Sequence, residues 1–262
     1  MMQSGSLPGK VALVTGSSRG LGRHHALALA LAGADVIIHD VHEQAAAEFG
    51  EAPSGSAVGE EIRALGRRSA FFAADLSIPE QVAALVQQAL DAFGRIDILV
   101  NNAGGDIGAR TPRPDPNDAL DIHDDDIRSV VDRNLLTTMY MCKYVGRHMR
   151  ERRSGKIVNV GSAAGHVAVQ GGIIYAAAKA GVAHYTRCLA EQLRPYDVNV
   201  NCIAPRPTYT GRFLATRSVA NEQDLARLQR IAQPEDMAQI MLFLAGPGSD
   251  MLTGETIVCW SP

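Results

Sequence analysis

Short apolar runs alternate with longer segments of helical spacing along the whole chain. Lys10 to Thr15, Ala34 to Asp40, Ser69 to Asp75 and Asp97 to Val100 are each compact enough for a buried strand. So are Lys156 to Gly161, Asp197 to Ile203 and Thr253 to Cys259. Between them the spacing predicts helices over Arg23 to Leu31, Glu60 to Gly66, Pro79 to Phe93 and Ile127 to Arg150. A further helix carries Tyr175 and runs to about Arg194, where Pro195 ends it, and a last one spans Pro234 to Ala245. Pro79 and Pro234 suit a first helical turn, and Gly66 and Gly94 suit the position after a last one. Strand–helix alternation of this kind predicts an α/β fold, a doubly wound parallel sheet with helices on both faces. With no internal repeat and no shift of composition, residues 1–262 read as a single domain, with a polar extension at 1–9.

Three stretches lack either period. Val41 to Gly59 reads as a loop longer than a minimal connection. Gly105 to Asp126, with Pro112, Pro114, Pro116 and many aspartates, reads as a loop whose acids form a solvated face or rim a cleft. Pro205 to Asn221 reads as a mobile flap over a pocket.

The chemistry lies where strands end. Gly16-Ser-Ser-Arg-Gly-Leu-Gly22 joins the first strand to the first helix. Glycines allow a tight turn and close approach to the backbone, and the free N–H groups of a helix start attract a pyrophosphate. That context is Rossmann-like and points to a dinucleotide. Asp40 ends the second strand, where an acid bonds the adenosine ribose hydroxyls and repels a 2'-phosphate, so it favours NAD. Arg19 pulls toward NADP, because its guanidinium could meet that phosphate. Asp40 can also be read as a turn acid or helix cap. Asp75 ends the third strand, facing the same crevice, and Asn101-Asn-Ala-Gly104 follows the fourth as a small turn able to approach a flat cofactor. Asn134 is a polar amide beside an apolar helix face, either a satisfied structural group or part of a site. Tyr175-Ala-Ala-Ala-Lys179 places a phenol and an ammonium on one helix face. A positive charge there is expected to lower the phenol pKa and suit Tyr175 to acid–base work. Ser162, at the end of the fifth strand, can hydrogen-bond a substrate oxygen.

Composition removes other classes. The chain has 262 residues, 46% hydrophobic and 20% charged, with a formal net charge of -3. There is no basic patch for nucleic acid, no apolar run that would span a bilayer and no signal-like N-terminus. The expected location is cytoplasmic. The four cysteines (Cys142, Cys188, Cys202, Cys259) are far apart and read as free thiols. No metal site is expected, since His24 and His25 are adjacent and point about 100° apart on a helix.

Taken together, Thr15-Gly-Ser-Ser-Arg-Gly-Leu-Gly22, Asn101-Asn-Ala-Gly104 and the set Asn134, Ser162, Tyr175, Lys179 resemble the classical short-chain dehydrogenase/reductase family over about Lys10 to Cys259. The resemblance implies hydride transfer between a nicotinamide cofactor, NAD (alternatively NADP), and a secondary alcohol or ketone. It implies that Tyr175 moves the proton, Lys179 tunes it and holds the nicotinamide ribose, Ser162 steadies the substrate oxygen, and Asn134 holds a relay water. It assigns cofactor contacts to Gly16, Ser18, Arg19, Gly20, Leu21, Gly22, Asp40, Asp75, Leu76, Asn102, Gly104, Tyr175, Lys179, Thr208 and Thr210. The substrate pocket would use Ser162, His166, Gln170, Tyr175, Tyr209 and Phe213. His166 and Gln170 suit a hydroxylated substrate or simply face solvent, whereas Tyr209 and Phe213 suit an apolar or ring-shaped one. The family implies a homotetramer, or a dimer. Arg206 departs from its usual Pro-Gly and is expected to crowd the nicotinamide end or to reach the pyrophosphate. Two other readings stay open: an NADPH-dependent ketoreductase, and a nicotinamide-binding sensor or scaffold without turnover.

Overall fold

The structure is a computed structural model that describes residues 7–216 and 231–260. Seven strands form one sheet in the order β3-β2-β1-β4-β5-β6-β7. They are β1 (Val11–Val14), β2 (Asp35–Asp40), β3 (Ser69–Ala73), β4 (Ile98–Asn101), β5 (Gly155–Val160), β6 (Val198–Pro205) and β7 (Thr256–Cys259). Every neighbouring pair is parallel, with Leu13 opposite Ile37 on one side and Leu99 on the other.

Helices cover both faces. Helices α1 (Gly20–Leu31), α2 (Gly55–Ala64) and α8 (Pro234–Ala245) bury Leu29, Val58, Ile62 and Met241 against Ala12, Val14, Ile38 and Val100. On the other face α3 (Pro79–Phe93), α5 (Thr137–Arg152) and α6 (Ile173–Leu193) cover Val11, Leu13, Ile37 and Leu99. Alternate residues of β1 thus feed different cores, the pleat of a strand buried on both sides. Each such Val, Leu or Ile is worth about 1.5–3 kcal/mol, so a register slip would forfeit both cores together. Among the described residues no helix is long and apolar enough to cross a membrane.

Two expected segments differ. The stretch 41–59 is not all loop: a 3-10 helix spans Glu43–Phe49, and α2 begins at Gly55 with the Ser54 hydroxyl accepting from the Ala57 N–H. The serine cap starts the helix five residues earlier than apolar spacing indicates. The continuous helix expected over Ile127 to Arg150 is α4 (Asp124–Val131), a π turn (Asp132–Leu136) and α5. The end of the expected flap, 217–221, lies outside the described residues.

Strand order reverses between β1 and β4. The connections leaving these two strands diverge there and open a crevice at their C-terminal ends. The Asn102 amide donates to the carbonyls of Thr15 (3.1 Å) and Gly16 (3.0 Å), tying the glycine turn to β4. Gly22 permits this, since a Cβ there would lie 2.1 Å from the Gly16 oxygen and 2.5 Å from the Asn102 amide nitrogen. Gly22→Ala is therefore expected to lower unfolding stability by about 1–3 kcal/mol, measurable by chemical denaturation.

Candidate active site

The crevice is a cleft of about 730 Å³. Gly16, Arg19, Gly20, Leu21, Asp40, Asp75, Leu76, Asn102 and Gly104 line it, together with Ser162, Tyr175, Lys179, Thr208, Thr210 and Phe213. The remaining expected residues lie outside this lining. Ser18 is buried and donates its hydroxyl to the Asp40 carboxylate, and Gly22 packs beneath the turn. His166, Gln170 and Tyr209 are exposed and off the cleft wall. The Ala163–His166 turn packs on α6, where a Cβ at Gly165 would lie 2.7 Å from the Ala180 nitrogen, and Val169 lines the cleft in their stead. The Tyr209 backbone is bonded to Ala232.

Asp40 is 6% exposed, and its carboxylate accepts from Ser18 and from the Val41 N–H (2.9 Å). Beside it the Gly16 N–H donates to His39 Nδ1 (3.2 Å), which leaves Nε2–H to donate to the Ala74 carbonyl (3.1 Å). Burial lowers the His39 pKa and keeps this ring neutral. Arg19 is paired with Glu48 and lies over the Phe49 ring, 4.9 Å from its centroid.

At the other end, the α6 spacing brings Tyr175 and Lys179 together. The Lys179 ammonium donates to the Val160 carbonyl (2.8 Å) and sits 5.8 Å from the centre of the Tyr175 ring. A buried network holds α6 to the sheet: Asn101 donates to Asn159 (2.8 Å) and Asn159 to Thr186 (2.9 Å). Burial lowers the Lys179 pKa to about 8. The Tyr175 pKa is not depressed as the Tyr–Lys spacing predicts. Burial raises it, the Ser162 hydroxyl and the Arg212 cation pull it back, and Asp106 pushes it up. The lysine's bond to Val160 holds its ammonium at the end of β5, and the cation that lowers the phenol pKa comes from α7 (Gly211–Ala215).

Asn134 is wholly buried, and its side chain is already engaged. Its oxygen accepts from the Gly105 N–H (2.8 Å), and its amide donates to the carbonyls of Gly105 (2.9 Å) and Val130 (2.8 Å). The side chain thus anchors the turn after β4, and the π turn swings it there. Arg206 lines the cleft, and its guanidinium stacks on the Trp260 ring, 4.9 Å from the centroid.

Several lining residues are not predicted by the strand-end motifs. Glu51 accepts from the N–H groups of Gly20 and Gly211. Arg212 crosses the cleft to the carbonyls of Gly104 (3.4 Å) and Asp106 (3.1 Å). Asp106 is held by Arg113 (3.0 Å) and Asn117 (2.7 Å). These residues lie in the three aperiodic stretches; the sequence reads 105–126 as a cleft rim and 205–221 as a flap over a pocket, but gives no such signal for Glu51.

The family model for short chain dehydrogenase matches residues 10–220. The chain belongs to the short-chain dehydrogenase family. This short-chain dehydrogenase is an oxidoreductase by that membership. It is 43% identical to a cyclohexanol dehydrogenase of Rhodococcus sp. (strain TK6), over 96% of this chain and 94% of that one. It is 36% identical to the 3-oxoacyl-[acyl-carrier-protein] reductase FabG of Chlamydia pneumoniae, over 97% and 96%. Among solved structures it is similar to a 7α-hydroxysteroid dehydrogenase complexed with NADH and 7-oxo glycochenodeoxycholic acid (TM-score 0.85, 28% identity, 97% and 93% covered). It is also similar to a short chain dehydrogenase from Burkholderia cenocepacia J2315 in complex with NADP (TM-score 0.82, 33% identity, 97% of both chains).

The cleft fits a dinucleotide on its own geometry. Its glycine turn leaves no room for a Cβ at Gly22, and the Gly20 N–H at the start of α1 already holds an anion, the Glu51 carboxylate.

Lys179 carries a stability cost that can be measured. Its pKa is about 8 in the fold against an ordinary 10.5. Below pH 8 both states are protonated and the penalty is complete. Between pH 8 and 10.5 the unfolded chain holds one proton more, so stability rises with pH and the penalty fades. Lys179→Met is expected to be more stable by about 2 kcal/mol at pH 7, after allowing for the lost hydrogen bond. That lead should close toward pH 10.5 in denaturation curves.

Proposed function

We propose that this protein transfers hydride between NAD(H) and a secondary alcohol or its ketone, with a cyclic alcohol as the substrate class. One observation carries this reading: Ser162, Tyr175 and Lys179 share a cleft with the fixed Asp40 carboxylate. Bound at that cleft, the nicotinamide ring supplies or accepts the hydride.

The residues of the chain do the rest. Tyr175, its pKa raised by burial, is protonated near neutral pH and donates its phenol proton to the carbonyl oxygen during reduction. In the reverse direction it receives the alcohol proton. Ser162 bonds the same oxygen. Lys179 lies beside Tyr175, where it would hold the ribose hydroxyls of the cofactor. Asn134 holds the Gly105 backbone and so acts through the turn after β4 that would meet the cofactor. The cyclohexanol dehydrogenase relative supports the cyclic substrate, as do Ile107, Val169 and Phe213 in the cleft wall.

NAD is favoured over NADP because a 2'-phosphate would approach the fixed carboxylate of Asp40. The opposing cation, Arg19, is already engaged by Glu48 and Phe49. The ketoreductase reading is weakened accordingly. Arg206, which motivates the non-catalytic reading, lines the cleft with its guanidinium over Trp260.

Fluorescence titrations test both parts. NADH is expected to bind at least about tenfold more tightly than NADPH. Tyr175→Phe should keep NADH affinity but lose cyclohexanol oxidation by about 100-fold or more. Binding without turnover on a broad alcohol and ketone panel would favour the sensor, and NADPH preference the ketoreductase. Glu48→Gln should free Arg19 and tighten NADPH binding several-fold, with NADH little changed in the same titration.

A further inference from the structure

The segment after β2 grips the glycine turn at three points. Glu48 pairs with Arg19, Phe49 lies under the same guanidinium, and Glu51 reaches the start of α1. Helix α1 spans 12 residues, yet it has no capping side chain at Arg19 and no acid in its first turn. Its partial positive end therefore lacks a local counter-charge. The counter-charge comes instead from Glu51, 31 positions from Gly20. One Glu51 oxygen accepts the Gly20 N–H, and the other accepts the Gly211 N–H at 2.6 Å. Contact around Gly211 is close: a Cβ there would lie 2.7 Å from that oxygen and 2.9 Å from the Phe49 Cβ. The carboxylate thus spans the cleft from the glycine turn to the rim formed by α7.

We propose that Glu51 is a built-in competitor for the pyrophosphate of the dinucleotide. This rests on the nicotinamide reading above and goes beyond it. A phosphate and a carboxylate seek the same N–H donors, and two anions side by side on one donor repel each other. The cofactor therefore takes its place at α1 only as Glu51 leaves. Gly50, with φ of 68°, stands in the left-handed region immediately before Glu51 and gives the segment a point about which to turn. Departure of Glu51 also releases Gly211, so cofactor entry and opening of the α7 rim are one event. Affinity for the cofactor is held below what the glycine turn alone would give.

The test is a titration of the wild-type chain and Glu51→Gln with NADH, ADP-ribose and adenosine, followed by fluorescence and calorimetry. NADH and ADP-ribose carry the pyrophosphate, and adenosine does not. The variant is expected to bind the first two about tenfold more tightly and adenosine unchanged. Glu51→Asp, one methylene shorter, should move the same way and serves if the glutamine variant does not fold. Equal or weaker NADH binding by the folded variants would make Glu51 a structural cap of α1 and overturn the proposal. An adenosine gain as large as that for NADH would mean a loosened cleft and overturn it too. If neither NADH nor NADPH binds any of the proteins, the cofactor reading itself falls. Binding by the wild type without a gain in the variants removes only the role of Glu51.

Discussion

The approach of α1 to the sheet governs the site. Gly22 lies so close to the Gly16 carbonyl that no side chain fits between them. The contact brings the start of α1 to the end of β1, beside the Asn102 amide that ties β1 to β4. Once this junction is fixed, the reversal of strand order leaves a crevice that ligands can enter. Everything that reads as chemistry is hung on its edges: Asp40 at the end of β2, Ser162 after β5, and Tyr175 with Lys179 on α6. The two hydrophobic cores make the frame rigid, and the frame makes the distances reproducible.

Electrostatics in the cleft depend on burial more than on pairs of neighbours. Lys179 is held inside the protein against its own preference, bonded to a backbone carbonyl. That arrangement is unfavourable to folding and useful only for what the ammonium faces, a common balance at sites selected for activity. The phenol is likewise kept protonated by its surroundings, with Arg212 on α7 offsetting part of the effect. Because Arg212 spans from α7 to the turn after β4, the charge near Tyr175 depends on that rim being in place.

Much of this was legible in the chain. The apolar runs located all seven strands, and the prolines at 79 and 234 marked two helix starts to the residue. Tyr175 and Lys179 were joined correctly by helical spacing, and the residues of the glycine turn by their place between strand and helix. What escaped detection has no period. The serine cap of α2 depends on a single hydroxyl, and the π turn at Asn134 inserts one residue that no hydrophobic count registers. Glu48 and Glu51 lie in a stretch whose composition says only that it is a surface loop, and the flap reading of 205–221 does not single out Arg212. Their partners are far along the chain, and local patterns do not carry such pairings. His166, Gln170 and Tyr209 stand exposed outside the cleft lining for a related reason: sequence places a residue near a cleft without saying which way it faces.

The central claim is that hydride moves between a carbinol carbon and the nicotinamide in this cleft under the control of Tyr175. The most direct measurement is isotope transfer from cyclohexanol deuterated at the carbinol carbon, with NAD, followed by mass spectrometry of the cofactor. The account predicts deuterium on the nicotinamide ring with the wild-type chain and almost none with Tyr175→Phe at equal cofactor occupancy. Label transfer that survives Tyr175→Phe undiminished would contradict it.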